Sequence, residues 1–230
     1  MIPASFPDGH TLRNVRRDFR EWHLGRPLYA VWAIDADIAP VRRRVAGARA
    51  RLADLLLDDY RRQPHVTLGL CGFPALRPQR DDDFGVEALQ AQLRALQQLR
   101  PHAFELRIGG VHSFGSVPYL VVGDPAGQLP RLRHCLQAGG PACVVHEAVP
   151  HVTVGLYADA WPAALAQARL ARCPPLWPLR LQVRHIVLLS YVAADIDGPL
   201  TELARYDFDT GQLQTARTFP FQPADFIELA

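Results

Sequence analysis

Ile38, Val41, Val45, Ala48, Leu52 and Leu55 recur at three- and four-residue spacing and predict an amphipathic helix. Arg42, Arg43, Arg49 and Asp58 fall on its other side, which reads as a solvated face. Val86, Leu89, Leu93 and Leu96 predict a second helix, ended by Pro101, and residues 104–108 alternate as a strand. Residues 117–122 then read as a strand, and residues 128–138 as a helix with Leu129, Leu132 and Leu136 on one side. Trp161, Ala164, Leu165 and Ala168 mark another helix, and residues 181–189 alternate as one long strand. Asp209-Thr210-Gly211 reads as a turn joining a final hairpin, and the chain from Phe219 onward carries no pattern.

Two further strand-like runs are nearly the same. Pro64-His65-Val66-Thr67-Leu68-Gly69-Leu70 returns as Pro150-His151-Val152-Thr153-Val154-Gly155-Leu156, identical at six of seven positions. Residues i and i+2 of a strand share a face, so each copy presents a His and a Thr together. The surrounding elements repeat too, since the order strand, helix, motif strand, helix, strand occurs twice. This order predicts an α+β domain of two lobes related by an approximate two-fold axis, with the motif strands meeting at a central cleft. The expected lobes are residues 27–110 and 111–216, with an Arg-rich arm at 1–26 and a tail at 217–230. The arm carries Arg13, Arg16, Arg17, Arg20 and Arg26 around Trp22 and His23. It reads either as packed on the domain or as a solvated extension, and its polarity favours the extension.

Composition removes several function classes. The chain has 230 residues, of which 49% are hydrophobic, ample for a core. The opening Met1-Ile2-Pro3-Ala4-Ser5 lacks the basic and apolar regions of an export signal, and the longest apolar run, Ile186 to Leu189, is far too short to span a bilayer. A cytoplasmic protein with no membrane partner is the expectation. Cys71, Cys135, Cys143 and Cys173 show no Cys-x-x-Cys spacing and read as reduced, small buried residues. All 25 basic residues are arginine. Without a lysine there is no Walker A loop, no Schiff base and no lysyl adenylate of an ATP-dependent ligase. A formal charge of +2 is too small to argue for a long nucleic-acid footprint, but it permits a nucleotide or a short single-stranded end.

The duplicated motif holds the candidate chemistry. An imidazole moves protons near neutral pH, and a hydroxyl beside it donates to a phosphoryl oxygen. Two such pairs at one site supply a base to activate water, an acid to protonate the leaving oxygen and two donors for the nonbridging oxygens. The near-symmetry of the copies leaves open which His is acid and which is base.

The two His-x-Thr motifs resemble the signature of the 2H phosphoesterase superfamily, also called the LigT-like or 2′-5′ RNA ligase-like family. The resemblance spans roughly residues 28–210. Tyr29-Ala30-Val31-Trp32-Ala33-Ile34 looks like the family's first strand, and Val183 to Ser190 with Gly198 and Leu203 looks like its closing strand and loop. The resemblance implies two antiparallel-rich sheets flanked by helices around a central cleft, with catalysis by His65, Thr67, His151 and Thr153. It also implies hydrolysis of a 2′,3′-cyclic phosphate, opened at its 3′ side to leave a 2′-phosphate, or of a 2′-5′ linkage. The expected substrate is an RNA end or a small nucleotide, with no metal and no cofactor. Two alternatives stand beside this reading, a non-catalytic nucleotide-binding module on the same fold and a metal-dependent hydrolase. Phe73, Tyr157 and Tyr191, near the motif strands, are candidate surfaces for stacking a base. His185 alternates with Val183 and Val187 and reads as a core or interface imidazole. His112 and His146 lie near strand ends without the tight ligand spacing of a zinc site.

Overall fold

The computed structural model describes residues 6–139 and 149–221. The first sheet has strand order β10-β9-β8-β1-β2-β3, built from β1 (Leu28–Asp35), β2 (His65–Pro74), β3 (Asp83–Phe84), β8 (His185–Val192), β9 (Thr201–Asp207) and β10 (Leu213–Thr215). The second has order β6-β5-β4-β7, from β4 (Phe104–Ser113), β5 (Pro118–Gly123), β6 (His151–Thr153) and β7 (Leu179–Val183). All pairings are antiparallel except β2 with β3.

The expected repeat is present in the connectivity, but the lobes exchange a strand. After a short helix α1 (Arg20–His23) in the arm, the first repeat runs β1, helix α2 (Ala39–Leu52), motif strand β2, helix α3 (Val86–Leu99) and then β4. In the second, β5 is followed by α4 (Gln128–Leu136), motif strand β6, α5 (Ala163–Ala171), β7 and β8. Each motif strand pairs with the opening strand of its own repeat, β2 with β1 and β6 with β5. The strand that ends each repeat crosses over, so β4 pairs with β5 and β8 with β1. The boundary at residue 110 expected from the sequence therefore does not divide the two sheets. The crossover binds the halves into one body, because neither sheet is complete without a strand from the other repeat.

The single strand expected over residues 181–189 is two strands in two sheets. β7 ends at Val183, Arg184 turns the chain, and β8 begins at His185 in the first sheet. Hydrophobic alternation runs through the break, so the pattern alone does not reveal it. Val183 and His185 thus share no strand face.

One core fills the space between helices and sheets. Val41, Val45, Ala48 and Leu52 of α2, Leu89, Leu93 and Leu96 of α3, and Leu129, Leu132 and Leu136 of α4 are buried there with Ala30, Trp32 and Ile34 of β1. Tyr29, Val31 and Ala33, pointing the other way from β1, join Phe73, Val187, Leu189 and Leu200 in a second cluster. Burial on both faces explains why β1 is an unbroken apolar run. Among the described residues the main core holds one buried amide, Gln92, which accepts from Trp32 Nε1 at 2.8 Å and donates to the Leu136 carbonyl at 2.9 Å. Gly72, at φ +112°, lets β2 meet the strand after it, since a Cβ there would lie 2.3 Å from the Asp82 carbonyl oxygen.

Most of the described N-terminal arm is exposed, as its polarity suggests, but specific contacts tie it to the domain. Thr11 Oγ1 donates to the Asp159 carbonyl at 2.7 Å and Asn14 Nδ2 to the Ser116 carbonyl at 2.9 Å. Arg16 pairs with the buried carboxylate of Asp197 and, at 2.9 Å, with Asp58. Arg26 lies over the Phe73 ring and pairs with Asp82 and Asp83. Polar residues thus anchor the arm, which is why its hydropathy alone resembled a free extension. Phe221, at the start of the tail, is buried against Phe84.

Candidate active site

Each motif strand alternates in burial as its sequence predicts. Val66, Leu68, Val152 and Val154 are fully in the core, while His65, Thr67, His151 and Thr153 are half-buried on the opposite face. β2 and β6 lie against one another, and the two imidazoles are close enough for His151 to lower the pKa of His65. The ladder partners of the two histidines differ, Asp35 for His65 and Val121 for His151.

The histidines are oriented by the same device. His65 Nδ1 lies 2.8 Å from the Gln63 carbonyl, and His151 Nδ1 lies 2.8 Å from the Val149 carbonyl. A carbonyl only accepts, so Nδ1 carries the hydrogen in both rings and the lone pair of the neutral form resides on Nε2. Gln63 is itself held, donating to the Leu200 carbonyl at 3.1 Å and accepting from Leu200 N at 2.8 Å. Among the described residues neither Thr67 nor Thr153 shows a hydrogen-bond partner for its hydroxyl.

Burial and neighbouring charges together set the electrostatics of the two imidazoles. Burial lowers the pKa of His65 to about 4, with Arg62 and His151 adding to that shift and the Gln63 carbonyl and Asp35 opposing it. Burial also lowers the pKa of His151, with Arg133 adding and the Val149 carbonyl opposing. Arg62 and Arg133 thus each flank one imidazole. Arg133, from α4, also donates to the Thr67 carbonyl at 3.4 Å, tying the first motif to the arginine that faces the second. Both shifts favour the neutral imidazoles at neutral pH, and a phosphate between them would draw protons onto them.

Aromatic rings line both sides. Phe114 meets the His151 ring edge-on at 5.1 Å and Tyr119 lies 5.4 Å from it, while Phe114 and Tyr119 stack at 4.1 Å. Tyr119 Oη is 3.2 Å from His112 Nδ1, which places His112 in this aromatic group. On the His65 side Arg62 lies 4.0 Å over the Tyr191 ring, and Tyr29 and Trp22 continue the row. A cavity of about 160 Å³ opens beside His65, floored by Val187, Leu189 and Leu200 and rimmed by Asp35, Gln63 and Glu202.

Of the three aromatic residues singled out for base stacking, two are corrected. Phe73 is fully buried among Trp22, Tyr29 and the Arg26 guanidinium, and Tyr157 is fully buried with its hydroxyl bonded to Ser113 at 2.7 Å. Neither has a face open to a base. Tyr191 alone is half-buried beside the site. Arg62, Arg133, Phe114, Tyr119 and Asp35 escaped sequence reasoning. For Arg62 a signal existed, three residues before the first motif, whereas Arg133 reads as an ordinary solvated helix position.

His185 is half-buried, its pKa lowered first by burial, and it lies opposite Asp207 in the ladder. His146 and Cys143 lie outside the described residues. Cys71, Cys135 and Cys173 are free thiols. Among the described residues no group of three or more His, Cys, Asp or Glu is placed to hold a metal ion, and no helix is long and apolar enough to cross a membrane.

Comparison with known proteins agrees with the fold. The crystal structure of LigT from E. coli matches 79% of this chain and 98% of its own at 21% identity, with a TM-score of 0.54. TT0787 of Thermus thermophilus matches 78% of this chain and 97% of its own at 18% identity, with a TM-score of 0.51. No curated protein sequence matches the chain. The sequence profile of the 2′-5′ RNA ligase superfamily matches residues 34–195, a span that contains both His-x-Thr strands. The chain belongs to that superfamily, the 2H phosphoesterases, and has its fold of two curled sheets flanked by helices.

Proposed function

We propose that the protein is a metal-independent phosphodiesterase that hydrolyses a 2′,3′-cyclic or 2′-5′ phosphodiester of an RNA end or small nucleotide. The observation that carries this reading is the matched pair of imidazoles, each with Nδ1 bonded to the carbonyl two residues earlier and Nε2 left for proton transfer. One neutral His takes a proton from water at Nε2 as the water oxygen attacks phosphorus. The other, as imidazolium, gives its Nε2 proton to the departing ribose oxygen, so the pair changes places in protonation at each turnover. Thr67 and Thr153 donate to the nonbridging oxygens, and Arg62 and Arg133 supply positive field as negative charge shifts to the leaving oxygen. Tyr191 is the proposed contact for a base. Family membership supports phosphoesterase chemistry, and the E. coli LigT structure compared above was solved with 3′-AMP.

The test is a screen of the purified protein against an RNA with a 2′,3′-cyclic end, a cyclic mononucleotide, a 2′-5′ oligoadenylate and ADP-ribose cyclic phosphate, with and without a chelator. Cleavage that survives chelation and leaves a 2′-phosphate is expected. Loss of cleavage on chelation would assign the histidines to a metal. Tight binding of a 2′-phosphate product without turnover of any substrate would make the protein a binding module.

A further inference from the structure

None of the four motif residues lines a second groove, which runs between α2 and the segment leading into β7. It encloses about 360 Å³, with Arg43, Arg44 and Arg51 along one side and Val111, Leu176 and Leu179 among its apolar residues. No acidic residue lines it. Arg16, Arg26, Arg169 and Arg205 pair with carboxylates, whereas among the described residues the three arginines of this groove do not. Arg44 donates only to carbonyls, of Ile108 at 2.6 Å, Gly109 at 3.2 Å and Trp177 at 2.9 Å, and burial lowers its pKa with no acidic group opposing. Arg51 donates to the Gly47 carbonyl of its own helix at 2.7 Å, and exposed Arg43 has no ion pair among the described residues. Trp177, whose carbonyl accepts from Arg44, follows the groove residue Leu176 and is 92% exposed, more than any other large apolar residue described.

Three guanidiniums without counter-charge favour an anion, and an exposed indole favours a flat ring. Arg43 and Arg51 are eight positions apart on the helix, or about 12 Å, which suits two separate phosphates better than one. A duplex hides its base faces, whereas an unpaired strand offers phosphates and open rings together. We propose that this groove binds single-stranded nucleic acid, with phosphates on Arg43 and Arg51 and a base stacked on Trp177. This contact is separate from the histidine site and does not depend on its chemistry.

The test uses a fluorescein-labelled single-stranded oligoribonucleotide, read by anisotropy over a salt series, with the annealed duplex and a polyglutamate peptide as competitors. Trp177→Ala should weaken binding about five- to 100-fold, the usual worth of one stacked base, and Trp177→Phe should restore part of it. The double variant Arg43→Glu/Arg51→Glu should flatten the slope of log affinity against log salt by about 1.4, as expected for two lost phosphates on a single strand. Both variants should turn over a cyclic mononucleotide at the parental rate if the parent cleaves one. Parental affinity and salt slope in both variants would overturn the proposal whether or not the protein is an enzyme. Displacement by polyglutamate or duplex as effective as by the unlabelled single strand would also overturn it, in favour of a groove that accepts any polyanion.

Discussion

Acid should destabilise this protein through His65. In the folded chain burial holds the imidazole pKa at about 4, against an ordinary value of 6.5. Between those values the unfolded chain binds a proton that the folded chain refuses. The stabilisation is therefore complete above pH 6.5 and is lost as the pH falls toward 4. The full gap corresponds to about 3 kcal/mol, and about 2 kcal/mol would already be gone at pH 5. Solvent on the half-buried ring trims this, so a loss of about 1 to 2 kcal/mol between pH 7.5 and pH 5 is expected from His65 alone. His65→Asn keeps a donor for the Gln63 carbonyl but cannot titrate. Urea unfolding of parent and variant at the two pH values isolates the share due to His65, because His151 and the carboxylates remain in both proteins. The variant should lose less stability on acidification than the parent, by that amount. Equal losses in the two proteins would show that the folded site accepts a proton as easily as water does, and would refute the account of its electrostatics.

Other expectations follow from the same geometry. The value of kcat/KM should be bell-shaped in pH with both limbs below about 6.5, since burial lowers the pKa of each imidazole in the free protein. The limbs of kcat should lie higher, because the bound phosphate stabilises the imidazolium, and coincident limbs would count against proton transfer by this pair. Gln92→Leu strands the Trp32 indole N–H and the Leu136 carbonyl in the core, so it should cost about 1 to 3 kcal/mol in urea unfolding with cleavage retained in the folded fraction.

The residues themselves made much of the site legible. A repeated seven-residue frame on strands of period two suffices to put His65 with Thr67 and His151 with Thr153 on one face each, and the burial alternation follows it. The helices were equally legible, because Leu89, Leu93 and Leu96 or Leu129, Leu132 and Leu136 can form a stripe only at helical period. Strand partnership was not. Local pattern has no term for which sheet a strand joins, so the exchange of β4 and β8 and the break at Arg184 went unseen. Side chains that reach the site from elsewhere, Arg133 from α4 and Tyr119 from β5, were invisible for the same reason. Phe73 and Tyr157 were misjudged because nearness to a motif in sequence says nothing about what covers a ring: Trp22 and Arg26 close over Phe73, and Tyr157 is buried in the main core. The arm's anchoring depends on specific pairs such as Arg16 with Asp197, which a polarity count does not register.

The central claim is that His65 and His151 act together on one phosphorus. Its most direct test is single-turnover cleavage of a substrate the parent hydrolyses, measured for His65→Ala, His151→Ala and the double variant. Each single replacement should slow the reaction by about 10²- to 10⁴-fold, the usual worth of one positioned acid or base, or roughly 3 to 5 kcal/mol. The double variant should fall well short of the product of the two losses, because a lone acid or base has less to assist once its partner is gone. Near-parental turnover in both single variants would make the duplicated motif structural and contradict the account.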